Sequence, residues 1–106
     1  MTELGLGDKR RLFTQMTCIL VQYANMLGYE ASWDATKTCA DCPNHHQNSL
    51  HGIGLALDLN LYLDGKYLTS TDDHLPLGEL WEFMGGSWGG RFNDGNHYSL
   101  PHGGMK

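Results

Sequence analysis

The run IGLALDLNLYLDGKYL, positions 53–68, constrains the fold more than any other part of the chain. Ile53, Leu55, Leu57, Leu59, Leu61 and Leu63 alternate with Gly54, Ala56, Asp58, Asn60 and Tyr62. Alternation with a period of two puts every second side chain on the same side of an extended backbone. Over this length it predicts a strand with one buried face. Asp64–Gly65 is a hairpin-turn pair, which folds Lys66–Leu68 back beside the strand.

The flanking segments supply what that face packs against. Positions 8 to 27 read as an amphipathic helix, with Leu12, Phe13, Met16, Ile19, Leu20, Tyr23 and Leu27 at helical spacing. Asp8 is its candidate N-cap and Gly28 its stop. Tyr29–Trp33 reads as a short strand and positions 34 to 50, rich in turn-formers, as loop. A second helix is expected from Asp73 to Met84, with Leu77, Leu80, Trp81 and Met84 facing inward and Gly85 ending it. GGSWGG then reads as a glycine-rich loop and HYSL as a last short strand. Helix, strands, helix, strand in this order predicts an α+β fold, a small antiparallel sheet packed with helices. At 106 residues and 41% hydrophobic content, the chain is expected to form a single domain over 1–106.

Charge narrows the partners. The net charge is -5 with histidine neutral, and the basic residues cluster only at Lys9–Arg11, which is poor equipment for gripping phosphate backbones or anionic membranes. No apolar run approaches the roughly 20 residues of a membrane span. The N-terminus has no basic stretch leading into an apolar one, so no secretory signal is expected and the product stays at first in a cytoplasm. No long exposed apolar face argues for self-association, and a monomer is expected. Cys18, Cys39 and Cys42 are an odd set, which favours reduced thiols. The CxxC spacing at Cys39 and Cys42, with His45 and His46 close behind, leaves a second structural zinc as the alternative to a plain loop.

The chemistry gathers in two places. Asp58 is the charged residue on the polar side of the long strand, with the small neighbours Gly54 and Ala56 leaving open space beside it, and His51 lies seven residues upstream. A carboxylate there is costly unless partnered. In RFNDGNHYS, Asp94 stands three residues ahead of His97 in a polar, glycine-containing loop. A wet surface turn accounts for that composition. A metal site accounts for it as well: His51, Asp58 and His97 form the two-imidazole, one-carboxylate set that suits zinc and leaves a coordination position for water. Asp94 would then serve as general base, with Gly95 letting the loop turn. Spacing alone does not separate these readings in a chain with six histidines.

SLHGIGLALDLNL resembles the SxHxxGxAxD motif of zinc peptidases that include VanY-type D,D-carboxypeptidases and phage L-alanyl-D-glutamate endopeptidases. DGNHYS resembles the second motif of that family, an acid three residues before a histidine, and LGELWEFMGGSWGGRFNDGNHYS is similar to phage endolysins of this group. The resemblance covers roughly positions 28–100. It implies zinc held by His51, Asp58 and His97, Asp94 as catalytic acid/base, and the α+β fold shared with the Hedgehog signalling domain. Ser49 matches the motif serine and is a candidate substrate contact. The implied function is hydrolysis of peptidoglycan stem peptides, foremost the L-Ala–D-Glu bond, by an endolysin kept in the host cytoplasm until its release to the cell wall. A D-Ala-D-Ala carboxypeptidase and a non-catalytic, zinc-stabilised wall-binding module are the alternatives.

One departure is plain. Relatives often carry an arginine ahead of the first motif, and this chain has none between Arg11 and Arg91. Lys37 is no equivalent, because a point charge does not reproduce a planar fork. Trp88, between glycine pairs, is either a core plug or a groove wall that touches substrate. Trp81 reads as core, Asn60 as an exposed strand residue, and His74 and His102 as surface. Asn96 and Tyr98 flank a ligand and are candidate cleft residues.

Overall fold

The computed structural model describes residues 4–34 and 50–105, with the side chains at 51 and 52 outside that description. Helix α1 spans Leu6–Met26. It starts two residues earlier than the spacing predicts because Gly5, not Asp8, is the N-cap. Asp8 instead lies in the first turn, where it favours the helix dipole and pairs with Arg11 three residues on. Phe13, Met16, Leu20 and Ala24 repeat every three or four residues and are all buried. Gly28, at φ 96°, ends the helix in a conformation that other residues resist.

Strand β1, Glu30–Trp33, leads away from α1. A 3-10 turn, Leu50–Ile53, precedes β2, Ala56–Leu63. The alternation therefore begins as a strand three residues later than its pattern suggests. Leu50 and Leu55 bury their side chains from the turn and its exit, and Gly54 at φ 78° breaks the extended run. Asp64 and Gly65 both take positive φ, the signature of a two-residue hairpin turn, and Leu63 pairs with Lys66 across it. Strand β3 is Lys66–Leu68.

The second helical segment splits at His74. A 3-10 turn over Thr71–His74 opens with a capping box made by Ser70 and Asp73. Helix α2, Leu75–Phe83, follows with proline in its first turn. The glycine-rich loop contains a two-residue strand, β4 Ser87–Trp88, and a 3-10 turn, Gly89–Phe92. Strand β5 is His97–Ser99.

All pairings are antiparallel, in the order β1-β2-β5-β4, with β3 also on β2. Strand β2 is the spine. One edge carries β1, while the other is shared, β5 on Ala56–Asp58 and β3 on Leu61–Leu63. The expected alternation shows only at its centre, where Leu59 and Leu61 are buried and Asn60 and Tyr62 half-buried, and Leu63 at the hairpin end is exposed. From Ala56 to Leu59 every side chain is buried, Asp58 included. Leu57, Leu59, Leu61 and Tyr98 join α1 and α2 in one core cluster. There Trp81 meets Phe13 and Tyr98 edge-on, at 5.6 and 5.7 Å between ring centroids. This is the α+β architecture that the order of segments implies.

Candidate metal and catalytic site

Register brings Asp58 and His97 together. The Asp58 carbonyl accepts from the Asp34 N–H on the β1 edge, and the Leu59 N–H donates to the Asn96 carbonyl on the β5 edge. Asp58 and His97 therefore face each other as a non-hydrogen-bonded pair, the closer kind of antiparallel pairing. Their side chains meet at 3.2 Å, Nδ1 of His97 to Oδ1 of Asp58. Asp58 is 1% exposed, and a carboxylate buried to that extent needs compensating charge or hydrogen bonds.

Asp94 completes the group. Ligand atoms of Asp58, Asp94 and His97 all lie within 4.8 Å of one another. The loop is closed by the Asp94 N–H on the Gly89 carbonyl at 2.8 Å and the His97 N–H on the Asp94 carbonyl at 3.1 Å. The turn expected at Gly95 is this Asp94–His97 turn, with Gly95 and Asn96 at its centre, while the left-handed residue of the loop is Asn93, at φ 62°. Gly95 is needed for its size as well: a β-carbon there would press on the Thr71 backbone. Gly89 is packed as closely, since a β-carbon would overlap the Asp94 carbonyl and the His97 side chain.

The donor set fits a metal ion. One imidazole nitrogen and one carboxylate oxygen 3.2 Å apart are spaced like neighbouring corners of a tetrahedron with bonds of about 2.0–2.1 Å, whose edge is roughly 3.3 Å. His51 lies in the turn just ahead of β2, and its side chain is outside the described part. Ser49, Lys37, Cys39, Cys42, His45 and His46 also lie outside the described residues. Arg10 reaches this turn from α1: its Nε donates to the Ile53 carbonyl at 2.7 Å, and its side chain packs on Gly54.

Asp94 also lines a cleft of about 170 Å³, bounded by Tyr67, the Thr69–Thr71 hydroxyls, His74 and the amides of Asn93 and Asn96. His74, expected at the surface, is 3% exposed. Its Nδ1 lies 2.8 Å from the Tyr98 hydroxyl. Burial lowers its pKa to about 4, against a smaller upward pull from Asp73 and Asp94, so the ring is neutral at neutral pH. Burial likewise raises the Tyr98 phenol well above its ordinary value. Nothing in the local sequence separates a histidine that turns inward at a helix start from one that turns out. The partner that decides it is 24 residues away.

Trp88 is a core plug. It is 2% exposed, and its Nε1 donates to the Gly95 carbonyl at 2.7 Å. β-carbons at Gly78 and Gly90 would overlap its indole ring. Arg91 stacks over the ring at 5.2 Å and forks onto Glu82 at 2.7 and 2.9 Å, holding that carboxyl below its usual range. Trp81 is core as expected. Asn60 is half-buried and partnered, accepting from Asn96 at 3.3 Å and Tyr67 at 3.4 Å. His102 is half-buried, with its Nδ1 3.1 Å from Lys9 Nζ.

Among the described residues no helix is long and apolar enough to cross a membrane. No curated protein matches the sequence significantly. A family model described as D-alanyl-D-alanine carboxypeptidase matches residues 43–100, more than half of the chain. Asp58, Asp94 and His97, which the fold gathers from two strands and a loop, all fall inside that match, and the chain thus belongs to the M15 family of peptidases.

Proposed function

We propose that the protein is a zinc-dependent peptidoglycan hydrolase of the endolysin type, cutting the L-Ala–D-Glu bond of stem peptides once it reaches the cell wall from the host cytoplasm. The observation that carries this reading is the position of Asp94, close to the Asp58–His97 pair and at the same time on the wall of an open cleft. A site serving structure alone has no use for an acid at the mouth of a cleft. The sequence likeness of the second motif to phage endolysins supports the choice of bond.

Asp58 and His97 would hold the zinc, with His51 as third ligand. When bound, the ion supplies a Lewis acid that brings a water's pKa down to about 7 and polarises a carbonyl. The chain's own residues carry the protons. An Asp94 carboxylate oxygen takes the proton from the attacking water as its oxygen adds to the scissile carbonyl carbon. As the C–N bond breaks, Asp94 passes that proton to the leaving amine. The half-buried Asn96 amide, tied to Asn60, and the Gly89 carbonyl that anchors the Asp94 N–H keep the loop in place between the two transfers.

The second reading, removal of a terminal D-Ala, is favoured by the description of the matching family. Mass spectrometry of purified peptidoglycan digested with the zinc-loaded protein separates the two. New amino-terminal D-Glu, absent with Asp94→Ala, is the expected result. Release of free D-Ala alone would make the protein a carboxypeptidase. Native-rate cleavage by Asp94→Ala would overturn the mechanism.

A further inference from the structure

The cleft beside Asp94 has a histidine on its wall that neither the metal group nor the proton transfers employ. His74 lines it together with Thr71, Asn93 and Asp94, yet almost the whole residue is buried. Among the described residues its hydrogen-bond partner is the Tyr98 hydroxyl, at 2.8 Å on Nδ1. The second ring nitrogen, Nε2, is therefore the polar atom with capacity left.

Which nitrogen holds the proton follows from the two groups that meet. The single Trp88 indole hydrogen goes to the Gly95 carbonyl at 2.7 Å, so the pairing at His74 is between a phenol and an imidazole. The phenol is the stronger acid and the better donor, and the imidazole nitrogen is the better acceptor. Nδ1 therefore accepts from the Tyr98 hydroxyl, and Nε2 carries the hydrogen.

We propose that His74 contacts substrate, its Nε2–H donating a hydrogen bond to a backbone carbonyl of a peptide lying in the cleft beside Asp94, in a tautomer held by the Tyr98 hydroxyl. This deepens the peptidase reading and rests on it. A neutral donor suits the place, because a charged one would pair with the Asp94 carboxylate and hinder its work as a base. The cleft's remaining polar groups are hydroxyls and amides, which suits the uncharged backbone of a peptide.

The test uses the zinc-loaded protein and the soluble peptide N-acetyl-L-Ala-γ-D-Glu-L-Lys-D-Ala-D-Ala, which contains both candidate bonds. Gln places a side-chain N–H near the Nε2 position, whereas Phe keeps the ring and loses the donor. His74→Gln is expected to keep kcat/KM and peptide affinity within a few-fold of wild type. His74→Phe is expected to lose about tenfold or more in both, with melting temperature and zinc content retained. Nitrogen-15 NMR of the wild type should find His74 protonated on Nε2, with that resonance shifting as peptide is added. An Nδ1-protonated ring overturns the inference, and so does a folded His74→Phe variant that binds and cleaves like wild type. A wild type that binds the peptide without cutting it overturns the peptidase reading alone, and the affinity comparison still decides His74. A wild type that neither binds nor cuts overturns both.

Discussion

Asp58 is a carboxylate at a position where a strand would otherwise bury an apolar side chain, and its tolerance there depends on what His97 and a cation provide. Replacing His97 by Ala should lower metal affinity by more than about 100-fold, beyond the usual effect of altering a residue that only orients a ligand. Metal analysis after dialysis checks this. His74 makes the opposite demand, for neutrality. Its folded pKa, about 4, lies below the ordinary 6.5 because burial penalises the charged ring. Between these values the unfolded chain binds a proton that the folded chain refuses, so the stability His74 contributes is complete above pH 6.5 and declines as pH falls towards 4. The loss approaches about 3 kcal/mol at most. Urea titrations should find wild type losing that much relative to His74→Gln between pH 7 and 4, and a constant difference would refute it. The grouping of Asp58, Asp94 and His97 is legible in the sequence through the resemblance of its two motifs to a peptidase family, because spacing alone leaves a surface turn equally open. His74 is not, because its role depends on a tyrosine that only the folded chain brings near.

At the scale of elements, the glycine-rich segment is a sleeve for Trp88. Gly78 on α2 and Gly90 after β4 leave no room for a β-carbon against the indole. Gly78→Ala should therefore destabilise by about 1–3 kcal/mol through overpacking, seen as a fall in melting temperature of roughly 4–8 °C per kcal/mol. Gly7→Ala is the contrast. A β-carbon there meets the Arg11 side chain at an ordinary 3.6 Å, and helix propensity predicts a gain of up to about 1 kcal/mol. The helices, the hairpin turn and β5 could be read from apolar spacing and turn residues. The start of β2 could not, because Leu50, Ile53 and Leu55 continue the apolar pattern through a turn that Gly54 bends out of line. Strand β4 was hidden for a related reason. Two residues are too few for periodicity, and its glycine neighbours are explained by a packing partner distant in sequence.

For the molecule as a whole, the metal would act as a clasp between segments that nothing local joins. A ligand that binds only the folded state stabilises it by about 2.7 kcal/mol when present at a hundred times its dissociation constant. Thermal unfolding with zinc should accordingly lie above unfolding in chelator, and the gap should vanish in Asp58→Ala. Equal midpoints for wild type in both conditions would count against a metal held by these residues.

The shared edge of β2 also sets an order of events. Its outer half meets β3 across a two-residue turn, a contact that closes in microseconds. Its inner half must wait for β5, and Asp58 and His97 are 39 residues apart, a loop whose ordering costs more entropy and comes later. The Asp58–His97 pairing is thus expected among the last contacts the chain makes. A half-made or partly melted copy would have its hairpin and its helices but not the side chains gathered at the proposed centre.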